Sequence, residues 1–296
     1  MFLLATILNF ALLTSGDVPE SDKPDDRFLL EALHKYEIEA HSVDWKDEGI
    51  DWTKYQVAMV FSTWDYHKNC EQFLKRLREI EAMGVKVLNP PEIITWNADK
   101  IYFRDLEALG LNIIESVYLA PSELQNLRSI LEQKGWDECV IKPQISASGH
   151  NTHRFNLSTI QEVQTRLALL NSNQQYIVQP FAQEIIDEGE WSFVFFDKEY
   201  LHCVLKKPSE GHFLVQKGTK VLVQPPEWMI QEAQRMINTL DLPCLQTRLD
   251  VIRRETGKGK EELFIMEIEM IEPNLYLARN PKSVEHIARK LYEMFR

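Results

Sequence analysis

Apolar residues recur along the chain in two alternating patterns. Phe10 to Thr14 is a short apolar run of the kind that forms a buried strand. Asp25 and Asp26 then open a stretch, RFLLEALHKY, with apolar residues at helical spacing. Glu39 to Val43 reads as a short strand and Val57 to Phe61 as a fully buried one. Cys70 to Met83 has the spacing of an amphipathic helix ended by Gly84. Val85 to Leu88 is a further strand, stopped by Asn89-Pro90-Pro91. Strands alternating with helices predict a parallel α/β sheet, here a first domain over residues 1–96.

The pattern then changes. A helix is expected from Asp99 to Leu109, followed by Ile113 to Leu119 and a helix after Pro121. From Val140 onward strands dominate: VIKP, THRFN, YIVQP, WSFVFF, YLHCVL, TRLDVIRR and LFIMEIEM. Helices are expected at Thr159–Leu170, Glu227–Leu240 and Val284–Phe295. This is an α+β arrangement with antiparallel hairpins, divided as residues 97–178 and 179–296 around a cleft.

Composition narrows the class. Of 296 residues, 26% are charged and 44% hydrophobic, as in a globular protein with a sizeable core. The net charge of −12 argues against nucleic acid or an anionic membrane as the main partner, since both need a basic face. Cys70, Cys139, Cys203 and Cys244 are far apart and form no CxxC, so reduced thiols are expected. The opening MFLLATILNFALLTS imitates the apolar part of a signal peptide, with Thr14, Ser15 and Gly16 as a small-residue cleavage site. No Lys or Arg precedes Lys23, so we read Asn9 to Thr14 as a strand after a short apolar extension and expect a cytoplasmic protein. No stretch reaches the roughly 18–20 apolar residues of a membrane span.

The most informative segment is TRLDVIRRETGKGKEELFIMEIEM. Its Gly-Lys-Gly-Lys run lacks the spacing and the Ser or Thr of a phosphate-binding P-loop, so it reads as a hairpin turn. A turn centred between Lys258 and Gly259 sets Asp250 opposite Glu267 and Arg248 opposite Glu269. Alternation then puts Leu249, Val251, Phe264, Met266 and Ile268 on one face, and Arg248 with the three acids on the other. Three neighbouring carboxylates repel unless a cation or base neutralises them, and hard oxygen ligands suit Mg²⁺. A charged, solvated sheet face is the competing reading. Upstream, Lys142 lies in the apolar strand CVIKP, where a buried ammonium must find an anion. The loop Ser146-Ala147-Ser148-Gly149-His150-Asn151 that follows lets backbone N–H groups approach phosphate oxygens. Lys100, at a helix start in WNADK, is a second candidate phosphate contact.

This order of motifs resembles the ATP-grasp superfamily over about residues 97–296: NADK, VIKP with SASGHN, VQPF, GEWS, RLD and EIEMIEP. The resemblance implies an N-terminal parallel α/β (pre-ATP-grasp) domain followed by a two-subdomain ATP-grasp fold, with ATP and Mg²⁺ as cofactors and Mn²⁺ as an alternative. It implies phosphate contacts at Lys100, Lys142, Ser148 and Gly149, and an adenine hinge at Gln179, Pro180 and Phe181. It also implies a ribose contact at Glu190 and metal ligands at Asp250, Glu267 and Glu269. With STWDYH and LNPPEIITWNADK added, the chain resembles the bacterial branch related to glutathione synthetase. Within that branch it most resembles the cyclo-ligases of cycloserine biosynthesis, which act on O-ureido-D-serine. One departure is Leu214, where that family usually carries Arg.

The implied chemistry is activation of a carboxylate as an acyl phosphate and attack by an amine. Arg248 and Lys142 are the catalytic candidates, stabilising the oxyanion and the moving phosphoryl group. The implied partner is a small-molecule carboxylate or amine, and a homodimer is compatible with this. Strand ends of an α/β sheet bind ligands. Substrate contacts are therefore expected at Asp17, Thr63, Trp64 and Asp65, with Lys206 and Asn274 on the opposite side. Two other readings remain open: a nucleotide-binding protein without turnover, and a ligase that modifies a peptide end.

Overall fold

The computed structural model describes residues 8–170, 173–257 and 259–296. The apolar stretch before Leu8, and Lys258 of the expected hairpin turn, lie outside the described residues. The first sheet is parallel. It is built from β1 (Leu8–Thr14), then α1 (Pro24–Lys35), β2 (Ile38–Asp44), β3 (Val57–Ser62), α2 (Cys70–Ala82) and β4 (Lys86–Leu88), in strand order β2-β1-β3-β4. Every residue of β3 is buried, as its unbroken apolar run requires of a central parallel strand.

The Asn89-Pro90-Pro91 breaker does end β4, but it also starts a helix. Pro91 is the first residue of α3 (Pro91–Ala98), a position where its missing N–H costs nothing and its fixed φ suits the helix. The single helix expected over 99–109 is consequently split. A 3₁₀ turn covers Lys100–Tyr102, capped by the Asp99 carboxylate accepting from Ile101 N (2.9 Å), and α4 covers Phe103–Ala108.

A second sheet is antiparallel, in order β5-β8-β6-β7. It comprises β5 (Val117–Leu119), α5 (Leu127–Lys134), β6 (Glu138–Pro143), β7 (His153–Asn156), α6 (Ile160–Ala168) and β8 (Tyr176–Pro180). Leu127, Leu131, Ile141, Phe155 and Val163 form its own core. The third sheet is antiparallel, in order β11-β10-β9-β12-β13. It follows α7 (Glu184–Asp187) and contains β9 (Glu190–Phe196), β10 (Glu199–Lys207), β11 (Thr219–Val223), β12 (Gln246–Glu255) and β13 (Glu261–Glu269), with α8 (Glu227–Thr239) between β11 and β12. β11 was not foreseen: it is a short edge strand with three of its five residues exposed.

Period-two alternation gives the third sheet two different faces. Phe193, Phe195, Leu249 and Val251 pack on Met229 and Met236 of α8 and on Tyr102. The opposite face divides along its length. Val194, Phe196 and Val204 meet Phe10, Leu12 and the closing helix α9 (Pro281–Phe295). Glu190, Ser192, Lys206, Arg248 and Asp250 occupy the other end of that face. Removing one of the buried rings, as in Phe193→Ala, is expected to cost about 3–5 kcal/mol.

Two buried asparagines join the first sheet to the third. Asn89 Nδ2 donates to Gln246 O (2.9 Å) and Met270 O (2.7 Å). Asn97 Nδ2 donates to Ile268 O, and Met270 N donates to Asn97 Oδ1, both at 2.7 Å. Cys139, Cys203 and Cys244 are buried, Cys70 is half-buried, and all four are free thiols. Among the described residues no helix is long and apolar enough to cross a membrane.

Candidate active site

The β12–β13 hairpin sets Asp250 opposite Glu267 and Arg248 opposite Glu269, the pairing expected from the sequence. It arrives there by two compensating shifts. Near the turn Glu255 pairs with Glu261, one residue off the expected register, and a bulge between Asp250 and Val251 restores it at the acids. The bulge corrects the expected faces. Val251 pairs with Ile265, and Ile265 rather than Phe264 or Met266 is buried with Leu249. Phe264 and Met266 instead pack with Ile252 and Ile185, and Met266 lines the cavity.

Oxygens of Asp250, Glu267 and Glu269 lie within 4.8 Å of one another. The acids differ in how far they are already engaged. Asp250 is 2% exposed and accepts from Arg248 Nε and Nη2, Lys206 Nζ (each 2.9 Å) and Ser192 Oγ (2.6 Å). Burial alone would raise its pKa, but Arg248 and Lys206 outweigh this and hold the carboxyl well below the ordinary range. Lys206 also pairs with Glu190, and Arg248 with Glu269. Burial opposes the Lys206 charge, yet Asp250 and Glu190 keep the ammonium above its usual pKa. Glu267 is more open and lies 3.2 Å from Lys100 Nζ; burial raises its pKa, while Lys100 and Lys142 together bring it below the usual value. Burial pushes Glu269 well up, against the pull of Arg248.

Glu190, Lys206, Arg248, Glu267, Glu269 and Lys100 line a cavity of about 400 Å³ between the second and third sheets, while Asp250 is buried against Arg248 and Lys206. Lys100 is held there by donating to Ser146 O (2.7 Å), so the first lysine and the small-residue loop are one unit. Lys142 also lines the cavity, with Nζ 5.9 Å from the Phe103 ring centroid; burial lowers its pKa and Glu267 opposes that. Ser148 and Gly149 are consecutive left-handed residues (φ 53° and 70°), which turns the loop into the cavity. A Cβ on Gly149 would lie 3.2 Å from Leu214, so Leu214 covers the loop with an apolar branch. His150 of the loop packs on His67, which follows β3, with ring centroids 5.3 Å apart. Gln179, Pro180, Phe181 and Glu190 line the same cavity, and the Arg154 guanidinium sits 3.7 Å from the Phe181 ring centroid.

Of the expected substrate contacts, Trp64, Lys206 and Asn274 reach the cavity and Asp17, Thr63 and Asp65 do not. Asp65 is 5% exposed and fully used: it accepts from Trp45 Nε1 (2.9 Å), Lys46 Nζ (2.8 Å) and Ser15 Oγ. Asp17 is tied to Lys46 at 2.6 Å, and Thr63 is buried with its hydroxyl unpartnered. Lys206 is a buried ion-paired lysine rather than a solvated strand end, whereas Lys207 is exposed. Ser192 and Lys220 were overlooked. Ser192 could have been found from its spacing, two residues from Glu190 on the same face; Lys220 could not, because β11 was not recognised. Glu272 also lines the cavity, 6% exposed, with burial raising its pKa to about 7.

The family model for the N-terminal domain of D-cycloserine synthetase DcsG matches residues 10–89. The cycloserine biosynthesis protein DcsG of Streptomyces lavendulae is 26% identical over 286 residues, covering 90% of this chain and 92% of that protein. The crystal structure of D-cycloserine synthetase DcsG superimposes with a TM-score of 0.84 at 25% identity, covering 97% of this chain and all of that one (100%). The ATP-grasp ligase PsnB, complexed with a phosphomimetic variant of its minimal precursor, Mg and ADP, superimposes with a TM-score of 0.65 at 12% identity, over 98% of this chain and 99% of that one. The chain resembles D-cycloserine synthetase in sequence and in fold, and it shares the fold of ATP-grasp ligases.

Proposed function

We propose that the protein uses MgATP to phosphorylate the carboxylate of a small amino-acid-like molecule, and that an amine-type nitrogen then displaces the phosphate. With O-ureido-D-serine the nitrogen belongs to the same molecule and the reaction closes a ring. The observation that carries this reading is the convergence of Glu267, Glu269, Lys100, Lys142 and Arg248 on one cavity, with an Asp250 oxygen within 4.8 Å of the two glutamates. The donor set suits a hard divalent cation. Oxygens around one octahedral Mg²⁺ span at most about 4.2 Å, so a small inward movement of the acids suffices. Glu267 and Glu269 have lone pairs to offer it, while Asp250 is occupied and acts chiefly through Arg248. Bound Mg²⁺ would neutralise charge on the phosphates and on the moving phosphoryl group.

Each side chain has a task in this scheme. Lys100 and Lys142 hold phosphate oxygens, and their mutual attraction to Glu267 keeps them aimed at the metal side of the cavity. Arg248, its Nε and Nη2 clamped by Asp250, keeps an Nη1 hydrogen for the oxyanion that forms when the acyl phosphate is attacked. Gln179 to Phe181 take the adenine and Glu190 the ribose. Closure of residues 146–151 under Leu214 keeps water from the acyl phosphate. A phosphate-release screen with amino acids, hydroxamates and O-ureido-D-serine tests the reading. Turnover is expected with a small acceptor and lost in the Asp250→Ala, Glu267→Ala double variant. MgATP binding with no turnover for any acceptor supports a non-catalytic protein instead, and stimulation by peptides alone supports a peptide-modifying ligase.

A further inference from the structure

Two side chains of opposite type, one basic and one acidic, line the cavity and form no ion pair among the described residues. Lys220 on β11 lies directly across the strand pair from Lys206. Like charges placed directly opposite each other on a sheet repel. Lys206 turns toward Glu190 and Asp250, away from its neighbour. Lys220 forms no ion pair among the described residues; its ammonium donates only to Gln216 O (2.7 Å) and Gly218 O (3.5 Å). The second side chain is Glu272. It is buried, lines the cavity and likewise forms no ion pair among the described residues. Trp64 reaches over from the first domain and donates its indole N–H to Glu272 O (3.2 Å), and Tyr66 lines the same wall.

A buried carboxylate beside two aromatic rings suits an ammonium, which gains from both the charge and the ring faces. A lone lysine opposite another lysine suits an oxyanion, which relieves the repulsion between them. We propose that Glu272 and Lys220 are the two poles of a site for a zwitterionic amino acid, with the substrate ammonium on Glu272 and its carboxylate on Lys220. This rests on the ligase reading and assigns the residues that would hold the amine and the acid of its substrate. It also gives Leu214 a context, because the cation on that side of the cavity comes from β11.

The test is calorimetric titration of the MgADP-loaded protein, which cannot turn over, with O-ureido-D-serine, its des-amino analogue and its methyl ester. The parent is expected to bind at least tenfold more tightly than either analogue. Glu272→Gln should weaken the parent and the ester at least tenfold but leave the des-amino compound unchanged. Lys220→Met should weaken the parent and the des-amino compound but leave the ester unchanged. Equal binding of parent and analogues by the wild-type protein, or no binding of any of the three, overturns the inference whatever the variants do. So does a variant that weakens all three alike. Failure of MgADP itself to bind is a separate result and counts against the ligase reading.

Discussion

Arg248 grips Asp250 in a fork, Nε to Oδ1 and Nη2 to Oδ2, both at 2.9 Å, while Lys206 reaches the same carboxylate at 2.9 Å. One buried anion therefore joins two buried cations. Asp250→Asn removes the charge but keeps the shape, leaving Lys206 with Glu190 and Arg248 with Glu269 as their remaining partners. It is expected to destabilise the protein by about 3–5 kcal/mol and to lower turnover at least ~100-fold, because Arg248 loses its orientation. Urea unfolding and phosphate release measure the two effects. The Asp250 pKa is depressed in the folded state, so its contribution is present at neutral pH and is lost as the pH falls below the ordinary carboxyl range.

Two other buried groups make opposite contributions across mildly acidic pH. Burial raises Asp26 from 3.8 to about 6, against Ser62 and Lys23. The folded protein then holds a proton that the unfolded chain releases, so stability from this group falls as pH rises from about 4 to 6. Burial lowers His202 from 6.5 to about 4, against the Leu275 carbonyl. The unfolded chain binds that proton first, so stability from this group rises over about 4 to 6.5. Each amounts to roughly 3 kcal/mol. Asp26→Asn should therefore steepen the gain of stability with pH, and His202→Gln should reverse it; denaturant midpoints at pH 4, 5 and 6 give the slopes.

Asn97 positions the acids without touching them. Asn97→Ala leaves Met270 N, next to Glu269, without its partner, and leaves Ile268 O with the longer bond from the Tyr102 hydroxyl (3.3 Å). A loss of about 1–3 kcal/mol is expected for the unsatisfied buried N–H. The Mg²⁺ concentration for half-maximal phosphate release should rise several-fold, with the rate at saturating Mg²⁺ largely kept. An unchanged Mg²⁺ dependence contradicts this positioning role.

The β12–β13 hairpin shows how much the sequence disclosed. Alternation and the Gly-rich turn pointed to Asp250, Glu267 and Arg248 lying together, because a buried face constrains register strongly, and the bulge makes up the one-residue difference at the turn. The bulge was invisible, since both Phe264 and Met266 are apolar and suit either face. The same limit explains α3: Pro90-Pro91 ends a strand and starts a helix with the same residues. Asp65 illustrates the opposite error. A polar loop at a strand end resembles a binding site in sequence, but Ser15, Trp45 and Lys46, distant in the chain, use up its carboxylate.

Gly218 tests the cover over the phosphate loop. A Cβ there would sit 1.7 Å from Lys207 O, so Gly218→Ala must displace the segment carrying Leu214. The KM for ATP is expected to rise at least tenfold. Gly211→Ala is the control: it has open space and only the cost of a left-handed φ of 75°, about 1–2 kcal/mol, so its KM for ATP should stay near that of the wild type.

The central claim is that phosphate leaves ATP by way of the substrate carboxylate. The direct measurement is oxygen transfer: O-ureido-D-serine labelled with ¹⁸O in its carboxylate, incubated with the protein and MgATP, and the released phosphate examined by mass spectrometry. The account predicts one ¹⁸O in each phosphate formed. ADP formation with unlabelled phosphate means water took the phosphoryl group, and that result contradicts the account.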